Sequence, residues 1–293
     1  MPLADARVIH LADGRRLGFD DLGTAAGRPV IYMHGGTTSR MTARLAAADA
    51  AELGIRLIAP DRPGIGLSDP QPGRTLSDWA DDVHALAVTL GLDQYGVLGV
   101  SEGTPYALAC GSAHPKHVVG VSIAGPIAAL RNPQITRAIH PPVRLMVGLA
   151  VYTPRLLRLA FAAMHADVRH RGLQAVAGMR RAFPPADQDL FADRAGLEMR
   201  LDDLRNTFAW GARWPAYDFV LAAREWGFQL DAIHCPVWIF QGDGDTIHTL
   251  GMARHLVERI PGAKLTVLHV PGTLWTLTHL KPALAEFTHC AWG

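Results

Sequence analysis

Residues 96–103 read Gly96-Val97-Leu98-Gly99-Val100-Ser101-Glu102-Gly103, an apolar run that breaks at a serine set between glycines, with a helical pattern following. The run has the length and composition of a buried strand. The G-x-S-x-G spacing is that of a sharp strand-to-helix turn, which lifts a serine hydroxyl away from the sheet. Glycines flank the serine because larger side chains would clash where the backbone bends so tightly. A hydroxyl at that turn also sits at the N-terminus of the next helix, where unpaired N–H groups favour an oxyanion. Ser101 is therefore the candidate nucleophile. The Glu102 carboxylate reads as a helix N-terminal acid that complements the helix dipole.

Outward from this turn, buried strands alternate with amphipathic helices. Toward the N-terminus, Arg7–Leu11 and Arg16–Asp20 flank Asp13-Gly14, a hairpin signal. Short apolar runs at Val30–Met33 and Arg56–Pro60 bracket an alanine-rich helical stretch over 41–53, with Gly54 suited to its C-cap. A helix is expected over 76–91, with Leu76, Trp79, Val83, Leu86 and Leu90 on one face and Thr75 or Ser77 as its cap. Strand 95–100, a helix from about 103 to 113 and strand 118–124 follow. Such alternation predicts a mainly parallel sheet covered on both faces. Residues 126–225 lack strand runs and look helical, for instance over 142–150, 154–165 and 187–207. The strand–helix rhythm resumes with strand 236–241, helix 249–260, strand 264–270 and a helix near 280–290. The expected organisation is a core made of 1–125 and 226–293, with 126–225 inserted as a helical lid.

Composition narrows the classes. The 293 residues are 49% hydrophobic and 19% charged, enough to bury one large core. A net charge of +1 gives no reason to expect nucleic acid or an anionic membrane as partner. Cys110, Cys235 and Cys290 are odd in number and lack C-x-x-C spacing, so they read as free thiols in a reducing compartment. The opening MPLADARVIHLADGRRL shows no charged region followed by an apolar one, and no uninterrupted apolar stretch is long enough to span a bilayer. A cytoplasmic protein with a small-molecule substrate is expected; the sequence allows a homodimer without fixing the oligomeric state. No H-E-x-x-H or comparable spacing implies a metal, and no cofactor is expected.

Four segments, in order, carry a resemblance to the α/β-hydrolase superfamily over essentially the whole chain. They are His34-Gly35-Gly36 after a strand, Asp61-Arg62-Pro63-Gly64-Ile65-Gly66-Leu67-Ser68, the turn around Ser101, and Gly242-Asp243-Gly244-Asp245 after a late strand. The resemblance implies the α/β-hydrolase fold, with Ser101 as nucleophile and Asp245 as the acid that orients a histidine. It also implies an oxyanion hole built from the backbone N–H groups of Gly36 and Glu102, with His34 holding that loop. Asp61 and Asp243 read as turn residues. Aspartate-nucleophile branches are disfavoured because the turn holds Ser101.

The chain departs from the family at the histidine. Where the pattern has Pro-Gly-x-Gly-His, this sequence has Pro271-Gly272-Thr273-Leu274-Trp275. Without a base, a serine hydroxyl is a poor nucleophile. Of the histidines nearby, His248 stands three residues after Asp245, where the family carries an apolar side chain that lines the pocket, and it is the expected substitute. His269 and His279 are expected to be structural. Trp275 either fills the space of the lost imidazole or presents an aromatic wall or N–H donor to a ligand. Trp226-Gly227-Phe228 is expected to be structural, and Phe208, Trp210, Trp214 and Tyr217 are candidates to roof the pocket, although an apolar stripe on a helix is more often core. Three function classes remain open at this point: an ester, lactone or thioester hydrolase with His248 as displaced base; a lyase, isomerase or cyclase using the same pocket; and a silent binding protein.

Overall fold

A computed structural model describes residues 6–180, 183, 185–188 and 193–292. Its sheet is built from β1 (Arg7–His10), β2 (Arg16–Gly23), β3 (Arg28–Met33), β4 (Ile55–Pro60), β5 (Tyr95–Val100), β6 (Val118–Ala124), β7 (Val237–Gly242) and β8 (Lys264–Leu268). The spatial order is β1-β2-β4-β3-β5-β6-β7-β8. β1 and β2 run antiparallel to their neighbours, and from β4 to β8 every pairing is parallel. This is the α/β-hydrolase fold, with an eight-stranded, mostly parallel sheet.

The helices are α1 (Ala47–Glu52), α2 (Leu76–Thr89), α3 (Gly103–Ala113), α4 (Pro133–Thr136), α5 (Pro141–Tyr152), α6 (Pro154–Arg171), α7 (Leu173–Arg180), α8 (Arg194–Thr207), α9 (Arg213–Ala223), α10 (Leu250–Arg259), α11 (Trp275–Thr278) and α12 (Lys281–Ala285). Alternation along β3 sorts the core into two layers, since successive strand side chains point to opposite faces. Ile31 and Met33 pack with Trp79, Val83, Tyr106 and Leu108 from α2 and α3. Val30 and Tyr32 pack with Ala50 of α1 and Leu284 of α12. Thr75 starts α2 through a reciprocal capping box with Asp78, which selects it over Ser77 as the cap.

Several boundaries differ from the sequence reading. Residues 40–46 form a 3-10 turn before α1, with Ser39 as its cap. The helix expected over 187–207 begins at Arg194, capped by Asp193, while a short 3-10 turn covers Pro185–Asp187. Residues 1–5 and 189–192, parts of the opening segment and of the expected lid, lie outside the described residues. β8 stops at Leu268 because Asp243 takes the Val270 N–H. The last helix is two short pieces, α12 and a 3-10 turn over Glu286–Thr288. Between β6 and β7 the described residues form helices and turns and no strand. No helix among them is long and apolar enough to cross a membrane.

Candidate active site

The turn after β5 places Ser101 at φ +53, in the left-handed region that a side chain normally avoids. Its backbone is clamped on both sides. Ser101 N–H donates to Ala124 O of β6 at 2.9 Å, and Ser101 O accepts from Thr104 N at 2.9 Å and Thr104 Oγ1 at 2.7 Å. The strain is held by neighbouring elements, and Oγ is left facing the cavity.

His248 Nε2 lies 2.7 Å from Ser101 Oγ, and its Nδ1 lies 2.8 Å from Asp245 Oδ2. Nδ1 faces a carboxylate and so carries the proton, which leaves Nε2 to accept from the serine hydroxyl. A short turn makes this geometry local. Asp245 Oδ1 accepts from the Ile247 and His248 N–H groups, both at 2.9 Å, so the carboxylate that orients the imidazole also folds the loop presenting it. Two further donors complete its shell, Thr273 Oγ1 to Oδ1 at 2.9 Å and Trp275 Nε1 to Oδ2 at 2.8 Å.

Trp275 thus stands differently from either sequence expectation in full. It occupies the segment where the family histidine would lie, but it is buried, does not line the cavity, and gives its N–H to Asp245. An aromatic wall for the ligand is not formed by this side chain, because the short helix α11 turns it back under the sheet edge toward Phe240 and Leu280.

The two expected oxyanion donors both border the cavity beside Ser101. Their direction follows from peptide planarity, since C=O and N–H of one trans peptide point opposite ways. Gly35 O accepts from Arg62 Nη2 at 3.1 Å, so the Gly36 N–H points away from Arg62. Ser101 O is taken by Thr104, so the Glu102 N–H points away from α3. Arg62 also donates to His34 O at 2.5 Å and to Asp218 at 2.8 Å, and stacks over the Tyr106 ring at 4.5 Å. His34 is fully buried off the cavity. Its Nδ1 lies 3.0 Å from Gly35 O, and burial with the nearby Arg62 charge holds its pKa well below the ordinary histidine value. It is a neutral loop support and contributes no wall to the cavity.

Glu102 departs from its sequence reading. Its side chain makes no cap hydrogen bond, and instead lies buried 3.3 Å from Arg62 Nη2. Burial pushes its pKa up to about 7, against the attraction of Arg62 and Arg74. A Cβ on Gly36 would sit 2.7 Å from Glu102 Oε2, so glycine there leaves room for this carboxyl.

Other candidates separate from the site. His269 is exposed and pairs with Asp243 at 2.6 Å, and His279 is exposed beside Thr278. Asp61 ties Arg40 and the Leu67 N–H into the preceding turn. Phe208, Trp210, Trp214 and Tyr217 are absent from the cavity wall. Phe208 stacks on His165, Trp210 donates to Gly66 O, Trp214 packs against Gly64, and Tyr217 donates to Arg74 O. Trp226 and Phe228 stack on each other.

The cavity has a volume of about 390 Å³ and is mostly apolar, with Met41, Met146, Met164, Met179 and Met199 in its wall and Phe183 and Phe219 as its aromatics. Among the described residues, no group of three or more His, Cys, Asp or Glu side chains is arranged to hold a metal ion. Three supporting residues escaped the sequence reading. Gly125 (φ +65) ends β6 where a Cβ would fall 2.8 Å from His248 Nδ1, so only glycine leaves space for the imidazole. Gln241 Nε2 donates to His248 O at 2.5 Å. Asp187 receives the Thr273 and Leu274 N–H groups at 2.7 Å, pinning the loop that carries Thr273 and Trp275. Only Gly125 carried a signal, a glycine at the end of an apolar run.

Residues 28–272 match the family described as alpha/beta hydrolase fold. The uncharacterized hydrolase YcgS of Bacillus subtilis is 26% identical over 258 residues, covering 84% of each chain. A hydrolase from Pseudomonas aeruginosa PA01 superposes with a TM-score of 0.70 at 18% identity, covering 98% of this chain and 100% of that one. A thermophilic esterase from Thermogutta terrifontis superposes with a TM-score of 0.68 at 21% identity, covering 97% of both.

Proposed function

This chain belongs to the alpha/beta hydrolase fold family, and from that premise we propose that it is a serine hydrolase of small, largely apolar esters, lactones or thioesters. The reading rests on one observation, the continuous hydrogen-bonded line from Ser101 Oγ through His248 to Asp245. His248 Nε2 takes the proton as Ser101 Oγ attacks the acyl carbon. Asp245 stabilises the imidazolium, and the Gly36 and Glu102 N–H groups receive the oxyanion. Collapse breaks the acyl–leaving-group bond, with His248 returning the proton to the departing oxygen or sulfur. Water, deprotonated by the same imidazole, then releases the acid and regenerates Ser101.

The methionine-rich wall supports an apolar acyl or alkyl part, because unbranched thioethers adapt to varied apolar shapes. A base within 2.7 Å of the nucleophile supports catalysis over a silent binding role, which does not require that contact. The test is a p-nitrophenyl ester series of increasing acyl length, together with labelling by an alkyl fluorophosphonate. Turnover with the label on Ser101 is expected. A folded protein that neither turns over any of the esters nor takes the label at Ser101 overturns the reading.

A further inference from the structure

Helices α5 and α6 are joined through a single residue, Thr153, and pack against each other between β6 and β7. One side of this hairpin belongs to the cavity, through Val143, Met146, Val147 and Met164. The other side carries large apolar residues in solvent: Leu145 at 64% exposure, Tyr152 at 72%, Leu156 at 51% and Leu159 at 66%. Leu145 and Tyr152 are seven residues apart on α5, and Leu156 and Leu159 three apart on α6, spacings that keep each pair on one helix face.

The charge around these residues has a single sign. From residue 131 to 166 the sequence holds five arginines and no aspartate or glutamate. Arg137, Arg144, Arg155 and Arg158 are all exposed. None of the four has an ion-pair partner among the described residues, and the next acid along the chain, Asp167, is already engaged by Arg171. An apolar face with unneutralised arginines fits an occupant that is both apolar and anionic. A second copy meeting this face through a two-fold axis would set arginine against arginine, so charge disfavours it. A lipid interface bearing anionic headgroups meets both requirements. Leucines enter the acyl boundary, tyrosine suits the headgroup level, and arginines reach the phosphates.

We propose that the α5–α6 hairpin is a docking surface for anionic lipid membranes. The overall charge of +1 conceals it, because the net value averages acidic segments elsewhere with this acid-free stretch. Docking brings the bilayer to the outer side of the two helices whose inner side walls the cavity, about one helix diameter away. An apolar molecule dissolved in the bilayer then has a short path to the site.

The experiment is co-sedimentation of the full chain with vesicles of phosphatidylglycerol and phosphatidylcholine in equal parts, and with phosphatidylcholine alone, at low and high salt. Binding to the anionic vesicles that weakens with salt is expected. Arg144→Gln/Arg155→Gln/Arg158→Gln is expected to weaken it about fivefold per arginine. Leu145→Gln/Leu156→Gln/Leu159→Gln is expected to abolish sedimentation while circular dichroism stays unchanged. If that variant misfolds, Tyr152→Glu serves the same comparison. The proposal is overturned by an absence of sedimentation with anionic vesicles at low salt, or by equal binding of the variants. It is also overturned by a dimer in light scattering that the leucine variant converts to monomer, which would make a second copy the occupant.

Discussion

His248 and Trp275 donate to the same oxygen, Asp245 Oδ2, each at 2.8 Å. One arrives from the loop after β7 and the other from the loop after β8. The carboxylate therefore bonds at once to the side chain standing where the family pattern has its histidine and to the imidazole we propose as the base. In the proposed mechanism the imidazole is supplied by His248, and Asp245 orients it.

This sharing predicts a reciprocal exchange. His248→Ala is expected to lower kcat on an activated ester by about 10²–10⁴-fold, the usual worth of a positioned base. Adding Trp275→His to that variant is expected to recover at least about tenfold, since an imidazole at 275 inherits the bond to Asp245. Trp275→Phe alone, which removes one of five donors to Asp245, is expected to cost roughly tenfold in kcat with KM unchanged. Steady-state kinetics on the three variants decides. A double variant no faster than His248→Ala would mean that the 275 position no longer reaches Ser101.

The oxyanion donors can be tested one at a time. Gly36→Pro deletes the Gly36 N–H, and its Cβ also displaces the Glu102 carboxyl. It is therefore compared with Gly36→Ala, which adds the Cβ and keeps the N–H. A lost donor of this kind costs about 2.7–4 kcal/mol of transition-state stabilisation. Turnover is expected to fall about 10²–10³-fold, with thermal melting as the control for folding. Unchanged turnover in a folded variant assigns the oxyanion to other groups.

Glu102 sets a pH dependence. Burial lifts its pKa from the ordinary 4.5 to about 7, so between those values the folded chain holds a proton that the unfolded chain has released. Folding stability from this group consequently falls as pH rises from about 4.5 to 7 and levels off above, by on the order of 3 kcal/mol in all. Ionisation also sets a negative charge against Gly36, close to the cavity where the oxyanion is proposed to form. Turnover at saturating ester is expected to decline as pH rises through about 7. Glu102→Gln is expected to lose that decline and to be more stable than the parent at alkaline pH. Matching pH profiles of the two proteins would remove Glu102 from this role.

Asp187 ties the segment between β6 and β7 to the Thr273 loop. Asp187→Ala leaves the buried Thr273 N–H and the part-buried Leu274 N–H unpaired, at a cost of roughly 2 kcal/mol. Asp187→Asn keeps the Oδ1 acceptor that serves both groups and is expected to restore most of the loss. Chemical denaturation of the three proteins provides the measurement, and an alanine variant as stable as the parent would mean that water replaces the carboxylate.

The sequence by itself determined what depends on local periodicity and turn chemistry. The strand run of β5, the glycine-flanked Ser101 and the start of α2 at Thr75 or Ser77 are each written within about a dozen residues, and the β–α alternation is the repetition of such runs. The spacing of Asp245 and His248 belongs to the same class, because the turn between them is folded by the Asp245 side chain itself. Only the tertiary structure decided what depends on groups far apart along the chain. It turned the Trp275 indole inward to Asp245 and buried the Glu102 carboxyl against Arg62. It also brought Asp187 to the Thr273 loop and left the methionines, rather than Phe208, Trp210, Trp214 or Tyr217, around the cavity. Sequence pattern reports which face of an element is apolar, but a buried polar atom takes whichever partner the packed chain brings within about 3 Å. That partner is chosen by the closure of the whole sheet and its inserted helices.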